Sequence, residues 1–253
     1  MDLGLKGRRA IVTGGSKGIG RRSADILADE GAHVAICARD QGEVAATVDA
    51  LKARGVTAYG EALDVADKAA LEGWVANAAT ALGGIDIVVA NVSALAGQNT
   101  EEAWRKQFEV DIMHTVRTVE AAMPYLDRSD AGSIVVVSSV SGREVDLFAG
   151  SYGATKAALI HYAHGLAVQL APKMIRVNSV SPGNVYFPGG VWNQIEENNP
   201  DLFAKALALN PTGRMATAEE VARGIVFLAS PASSFTTGTN LVIDGALTKG
   251  VQL

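Results

Sequence analysis

The chain has 253 residues, a formal net charge of −5, a 48% share of hydrophobic residues and a single cysteine. The acidic balance and the lack of any lysine or arginine cluster argue against nucleic acid or an anionic membrane as partner, and one thiol, Cys37, excludes an internal disulfide framework. No apolar run is long enough to span a bilayer and no cleavable leader follows Met1, so the expectation is one cytoplasmic domain with a large core.

Short runs rich in valine and isoleucine alternate with longer alanine-rich amphipathic stretches, the pattern of a parallel sheet covered by helices on both faces. The first run, residues 10–13, leads into Thr13-Gly14-Gly15-Ser16-Lys17-Gly18-Ile19-Gly20 and a helix over 18–30. This is strand, glycine-rich turn, helix. Gly14 permits the tight turn, Gly18 lets backbone approach a pyrophosphate, and Gly20 lets helix and strand pack closely. Ser16, Lys17 and Ile19 complete a phosphate-binding turn at the positive end of the helix. Further strands are predicted near 33–38, 58–63, 85–90, 133–139, 175–180 and 241–243, and further helices near 42–54, 68–82, 101–126, 152–171 and 218–229. The fold class that follows is α/β, a Rossmann-like doubly wound parallel sheet of about seven strands forming a single domain over residues 1–253. In such a sheet the ligand lies beyond the carboxyl ends of the strands, where Gly14, Arg39, Asp64, Asn91, Ser139 and Pro182 all fall. Residues 184–211 break the pattern: Tyr186, Phe187, Pro188, Gly189, Gly190 and Trp192 precede a helical stretch over 201–209, which reads as a mobile, apolar lid.

Tyr152 and Lys156 stand one helical turn apart, downstream of Ser139 at the end of a buried strand. Residues i and i+4 share a helix face, so an ammonium at 156 favours the phenolate form of a phenol at 152 and makes it a usable acid or base. His161 and His164 form an i, i+3 pair without cysteine or carboxylate nearby, so no metal is assigned.

The spacing of Thr13 to Gly20, Ser139 followed by Tyr152-xxx-Lys156, and Pro182-Gly183 after an apolar run together resemble the short-chain dehydrogenase/reductase family. The likeness extends over nearly the whole chain, through Leu63-Asp64-Val65, Asp86 to Asn91, and Gly238 to Gly245. Gly213-Arg214-Met215 and Ala218-Glu219-Glu220-Val221-Ala222 are similar to single-domain reductases of the beta-ketoacyl carrier-protein reductase type. The resemblance implies an NAD(P)-dependent enzyme acting on a small carbonyl or alcohol. Tyr152 would be the proton donor, with Ser139 steadying the carbonyl oxygen and Lys156 holding the nicotinamide ribose. Asp64 and Val65 would flank the adenine, Asn91 a ribose, and Pro182, Gly183 and the Val185 backbone the carboxamide end, with residues 184–211 closing over substrate.

Cofactor choice turns on the end of the second strand, where NAD-preferring sites carry an acid. Here Ala38 is followed by Arg39, and Lys17 stands in the turn, which favours NADP(H). Asp40 could neutralise Arg39 or itself reach the ribose, which leaves NAD(H) open. Two positions depart from the family pattern. Ala90-Asn91-Val92-Ser93 keeps one asparagine of the usual Asn-Asn-Ala-Gly, and Asp111 stands where the family has a catalytic asparagine whose main-chain carbonyl holds a relay water. An aspartate there keeps the carbonyl and adds a charge. A cofactor-binding sensor on the same fold is the alternative function; an epimerase of the extended branch would need a larger carboxyl-terminal region. Apolar residues on more than one face of the helices at 101–126 and 152–171 point to a homotetramer or homodimer.

Overall fold

A computed structural model describes residues 2–96, 98–146 and 150–250. The strands among them are β1 (Arg9–Thr13), β2 (His33–Ala38), β3 (Ala58–Ala62), β4 (Ile87–Ala90), β5 (Ser133–Val137), β6 (Arg176–Pro182), β7 (Val185–Tyr186), β8 (Ala216–Thr217) and β9 (Asn240–Ile243). Seven of these form one all-parallel sheet in the order β3-β2-β1-β4-β5-β6-β9, and β7 pairs with β8 apart from it.

Alternate residues of the inner strands feed two separate cores, which is why these strands read as unbroken apolar runs. Ala10, Val12, Val34, Ile36, Ile87, Val89, Val135 and Val137 face one side, while Ile11, Ala35, Cys37, Val88, Ile134 and Val136 face the other. The helices are α1 (Gly18–Asp29), α2 (Gln41–Lys52), α3 (Lys68–Leu82), α4 (Glu101–Gln107), α5 (His114–Leu126), α6 (Ser151–Leu170), α7 (Val191–Asn198), α8 (Pro200–Ala208) and α9 (Ala218–Ala229). α1, α2 and α9 cover the first core, and α3, α5 and α6 the second. Side chains start most of them: Asp40, Asp67, Thr100, Asn199 and Thr217 each accept from a backbone N–H of the first turn. α1 differs, since its N-cap residue Lys17 makes no side-chain cap and leaves the first N–H groups to other partners.

The helix expected over 101–126 is continuous within those bounds but not uniform. α4 gives way at Phe108–Met113 to a turn of π-helix before α5 begins. The wider turn shifts the helix register, and Asp111, His114 and Thr115 come to lie buried against the sheet. In the segment read as a lid, two helices stand where one was expected, α7 being the addition. Strand order reverses between β1 and β4, because the chain runs outward through β2 and β3 before crossing back over β1. The crevice beyond the carboxyl ends of β1 and β4 is therefore where this topology admits a ligand. No helix among the described residues is long and apolar enough to cross a membrane.

Candidate active site

Backbone geometry explains the glycines of the β1–α1 turn. Gly14 has φ +66° and Gly18 φ +53°, values that L residues rarely adopt. A Cβ on Gly20 would lie 2.2 Å from the Gly14 carbonyl oxygen, so only glycine lets the helix start this close to the turn. Gly14 N–H and Gly15 N–H both donate to the Cys37 carbonyl, at 2.8 and 3.2 Å, tying the turn to the end of β2. Cys37 itself is inert filling, its thiol pushed up to about 12 by burial against the smaller effect of a bond with Gly14. Asn91 closes the turn from the β4 side: its N–H donates to Thr13 Oγ1 at 3.0 Å and its amide to the carbonyls of Thr13 at 3.2 Å and Gly14 at 3.4 Å. In this arrangement Asn91 is a clamp on the phosphate turn.

At the end of β2, Arg39 is exposed. No hydrogen bond or ion pair engages it among the described residues. Asp40 does not neutralise it; its Oδ1 accepts from Glu43 N–H at 2.8 Å and caps α2. Lys17, by contrast, is paired with the carboxylate of Glu43, which also accepts from Ser16 Oγ at 3.2 Å. Asp64 is exposed and closes its own turn by accepting from Ala66 N–H at 2.9 Å, and Val65 beside it is buried.

Across the crevice, β5 and α6 are joined through Lys156. Its ammonium donates to the Val137 carbonyl at 3.2 Å, and Ser138 Oγ donates to the Lys156 carbonyl at 2.8 Å. Ser139 follows, half-turned into a short 3-10 segment, its Oγ accepting from Ser141 N–H at 3.1 Å. Gly142 ends that segment against the Lys156 backbone, where a Cβ would sit 2.6 Å from the Lys156 carbonyl carbon. The Lys156 Nζ lies 5.6 Å from the centroid of the Tyr152 ring. Ser139, Tyr152 and Lys156 are thus gathered at the mouth of β5.

The π-helical turn supplies the fourth group. Asp111 Oδ2 stands 3.0 Å from Lys156 Nζ, and Oδ1 accepts from Ala94 N–H at 2.8 Å. Both side chains are buried, at 0% and 2% exposure, so this is an interior ion pair and not a surface one. Burial works against the Lys156 ammonium, but the Asp111 carboxylate, then Tyr152, more than offset it and hold the lysine above its ordinary range. The Asp111 main-chain carbonyl accepts from Thr115 Oγ1 at 2.7 Å. His114, one turn on, is pushed down to about 4 by burial, with Asp111 acting the other way, so it is neutral at pH 7. Its Nε2 lies 3.2 Å from Thr13 Oγ1, linking the π turn to the phosphate turn.

Gly183 lets the end of β6 pass the end of β9, since a Cβ there would fall 2.8 Å from Asp244 Cβ. Pro182 is buried in β6, and Val185 is held in the β7–β8 pair at the root of the segment read as a lid. From that segment the Phe187 ring reaches over the phosphate turn: a Cβ on Gly18 would lie 2.5 Å from it and one on Gly190 2.9 Å. Gly18→Val, which combines a branched side chain with φ +53°, is expected to weaken NADPH at least about tenfold, a strain of 1–3 kcal/mol adding to the steric block. Calorimetry finding the affinity unchanged would mean that the turn does not carry the phosphates.

Sequence reading did not single out Glu43 or His114, and it named Phe187 only as part of the apolar lid. His114 had a signal, three residues beyond Asp111 on the same helical face; the other two act across turns distant in sequence. His164 shares a 2.8 Å hydrogen bond through Nδ1 with the Gly238 carbonyl.

Known proteins are similar to this chain over nearly its whole length. The family described as enoyl-(acyl carrier protein) reductase matches residues 14–248. Isoepoxydon dehydrogenase of Penicillium expansum is 39% identical over 260 residues, covering 100% of this chain and 99% of that protein. Cis-4-hydroxycyclohexanecarboxylate dehydrogenase of Sinomonas cyclohexanicum is 35% identical over 250 residues, covering 95% and 96%. The crystal structure of L-sorbose reductase from Gluconobacter frateurii, complexed with NADPH and L-sorbose, superposes with a TM-score of 0.90 at 29% identity and covers 99% of this chain and 100% of that one.

Proposed function

Because the chain belongs to the short-chain dehydrogenase/reductase family, we propose that it interconverts a secondary alcohol and a ketone with NADP(H), Tyr152 transferring the proton. The observation that carries this reading is the buried, ion-paired Lys156 ammonium set 5.6 Å from the Tyr152 ring centroid, next to Ser139. A fixed charge in a dry site stabilises negative charge far more than the same charge in water.

The cradle fits a dinucleotide. Gly14 and Gly20 keep the β1–α1 turn compact against Val92 and Asn91, with the Phe187 ring standing over Gly18; the first N–H groups of α1 lack a side-chain cap, and Arg39 is open to a 2′-phosphate. When bound, the nicotinamide gives or takes the hydride at the substrate carbon. In the reducing direction Ser139 Oγ donates to the carbonyl oxygen, the Tyr152 hydroxyl passes its proton to that oxygen, and Lys156 stabilises the negative charge left behind. Asp111 keeps the lysine charged. Residues 184–211 close over the substrate and exclude water, in a single domain spanning the chain. We read the setting as cytoplasmic, and exposed Trp104 and Phe108, at 41% and 50%, as part of a homotetramer or homodimer contact.

The test is NADPH oxidation against a ketone panel that includes substituted cyclohexanones, chosen because one relative is named for a hydroxycyclohexane carboxylate. Turnover with at least one class is expected; tight NADPH binding without turnover on any would favour a cofactor sensor. Arg39→Asp is expected to reverse cofactor preference by about tenfold to hundredfold, since a charge-assisted contact of roughly 1.5–3 kcal/mol becomes a repulsion. An unaltered ratio of NADPH to NADH affinity would remove Arg39 from the 2′-phosphate site.

A further inference from the structure

Glu43 already behaves as an anion in the place where the cations of the phosphate turn gather. It projects from the first turn of α2, yet its carboxylate grips two residues of the neighbouring β1–α1 turn, Ser16 Oγ at 3.2 Å and the Lys17 ammonium. The same corner holds Arg39, exposed and without a polar partner among the described residues. One hydroxyl and two cations from two turns make a donor set suited to a phosphate dianion, and a carboxylate occupies part of it.

We propose that Glu43 sets cofactor specificity by competing with the 2′-phosphate of NADP(H) for Ser16 and Lys17. To admit the phosphate, the carboxylate must release both groups and turn away from a second anion. NADH has a ribose hydroxyl at that position, which donates to a carboxylate and need not displace it. Glu43 therefore handicaps NADP(H) and leaves NAD(H) largely unaffected, tempering the preference that Arg39 creates. The handicap is limited, because the Lys17 and Glu43 side chains are 63% and 33% exposed and an ion pair this wet is easily opened. The α2 cap does not depend on the carboxylate, since Asp40 accepts from the Glu43 backbone N–H.

The proposal rests on the NADP(H) reading, and one set of titrations separates the two. NADPH and NADH are titrated calorimetrically into the full chain, the Glu43→Gln variant, the Lys17→Gln variant and the double variant. In Glu43→Gln, NADPH is expected to bind about threefold to tenfold more tightly and NADH to change by less than about twofold. In the Lys17→Gln background that gain is expected to shrink, because the contested cation is gone. A Glu43→Gln chain that tightens on both cofactors equally, keeps the parental ratio or binds NADPH more weakly overturns the proposal, as does a gain independent of Lys17. A parent chain with no preference for NADPH overturns the cofactor reading first and the role of Glu43 with it.

Discussion

Tyr152→Phe will bind NADPH as the parent does and lower kcat by about a hundredfold to ten-thousandfold, the range over which general acid catalysis operates. Phenylalanine keeps the ring that faces the Lys156 ammonium, whose Nζ is 5.6 Å from the ring centroid, so packing and the local charge persist while the transferable proton disappears. The loss should fall on kcat and kcat/KM alike, because the proton moves only on the way to the transition state. Steady-state kinetics in both reaction directions provide the check. A variant retaining more than about a tenth of parental kcat would show that the proton reaches the substrate oxygen by another route.

Much of this site could be read in the sequence because its parts are local. Strand, glycine turn and helix are contiguous between Arg9 and Asp29, and Gly20 is dictated by a backbone contact with Gly14 that any tight turn of this kind would create. The i, i+4 relation of Tyr152 and Lys156 belongs to one helix, and valine-rich runs buried on both faces betray a parallel sheet without reference to anything distant. What escaped was set by pairing across the fold or by a change of helical pitch. The π turn at Phe108–Met113 adds backbone to a turn inside an otherwise periodic apolar pattern, and no residue type marks such an insertion. Asn91 was expected beside a ribose; the sequence did not show that its amide also donates to carbonyls of the β1–α1 turn, a contact that depends on β4 lying next to β1. Asp40, read as able to neutralise Arg39 or to reach the ribose, instead accepts from the Glu43 N–H and caps α2. α7 was passed over because Gly189 and Gly190 precede a short polar stretch that resembles a loop, whereas burial of Trp192 with Ala206 and Met215 gives it a small core of its own.

Asp111→Asn should destabilise the fold and move the pH profile, although it removes only a charge. The two carboxylate oxygens face two donors, Ala94 N–H at 2.8 Å and Lys156 Nζ at 3.0 Å. An amide has one acceptor, so its NH2 group must oppose either the backbone N–H or the ammonium. Breaking one side of a buried ion pair costs about 3–5 kcal/mol, and the lower end is expected here because the remaining oxygen still serves one donor. The pH dependence fixes the sign. Asp111 raises Lys156 above its ordinary range, so the stability contributed by the pair is complete below that range and is lost as pH climbs through the raised value. With asparagine in place, burial is no longer offset by that carboxylate, Lys156 gives up its proton at lower pH, and the alkaline limb of kcat/KM moves down with it. Urea unfolding and a pH–rate profile of the variant measure the two effects separately. Parental stability with an unmoved alkaline limb would mean that position 111 acts through its main-chain carbonyl, which accepts from Thr115 Oγ1 at 2.7 Å, and that the carboxylate does not govern the charge on Lys156.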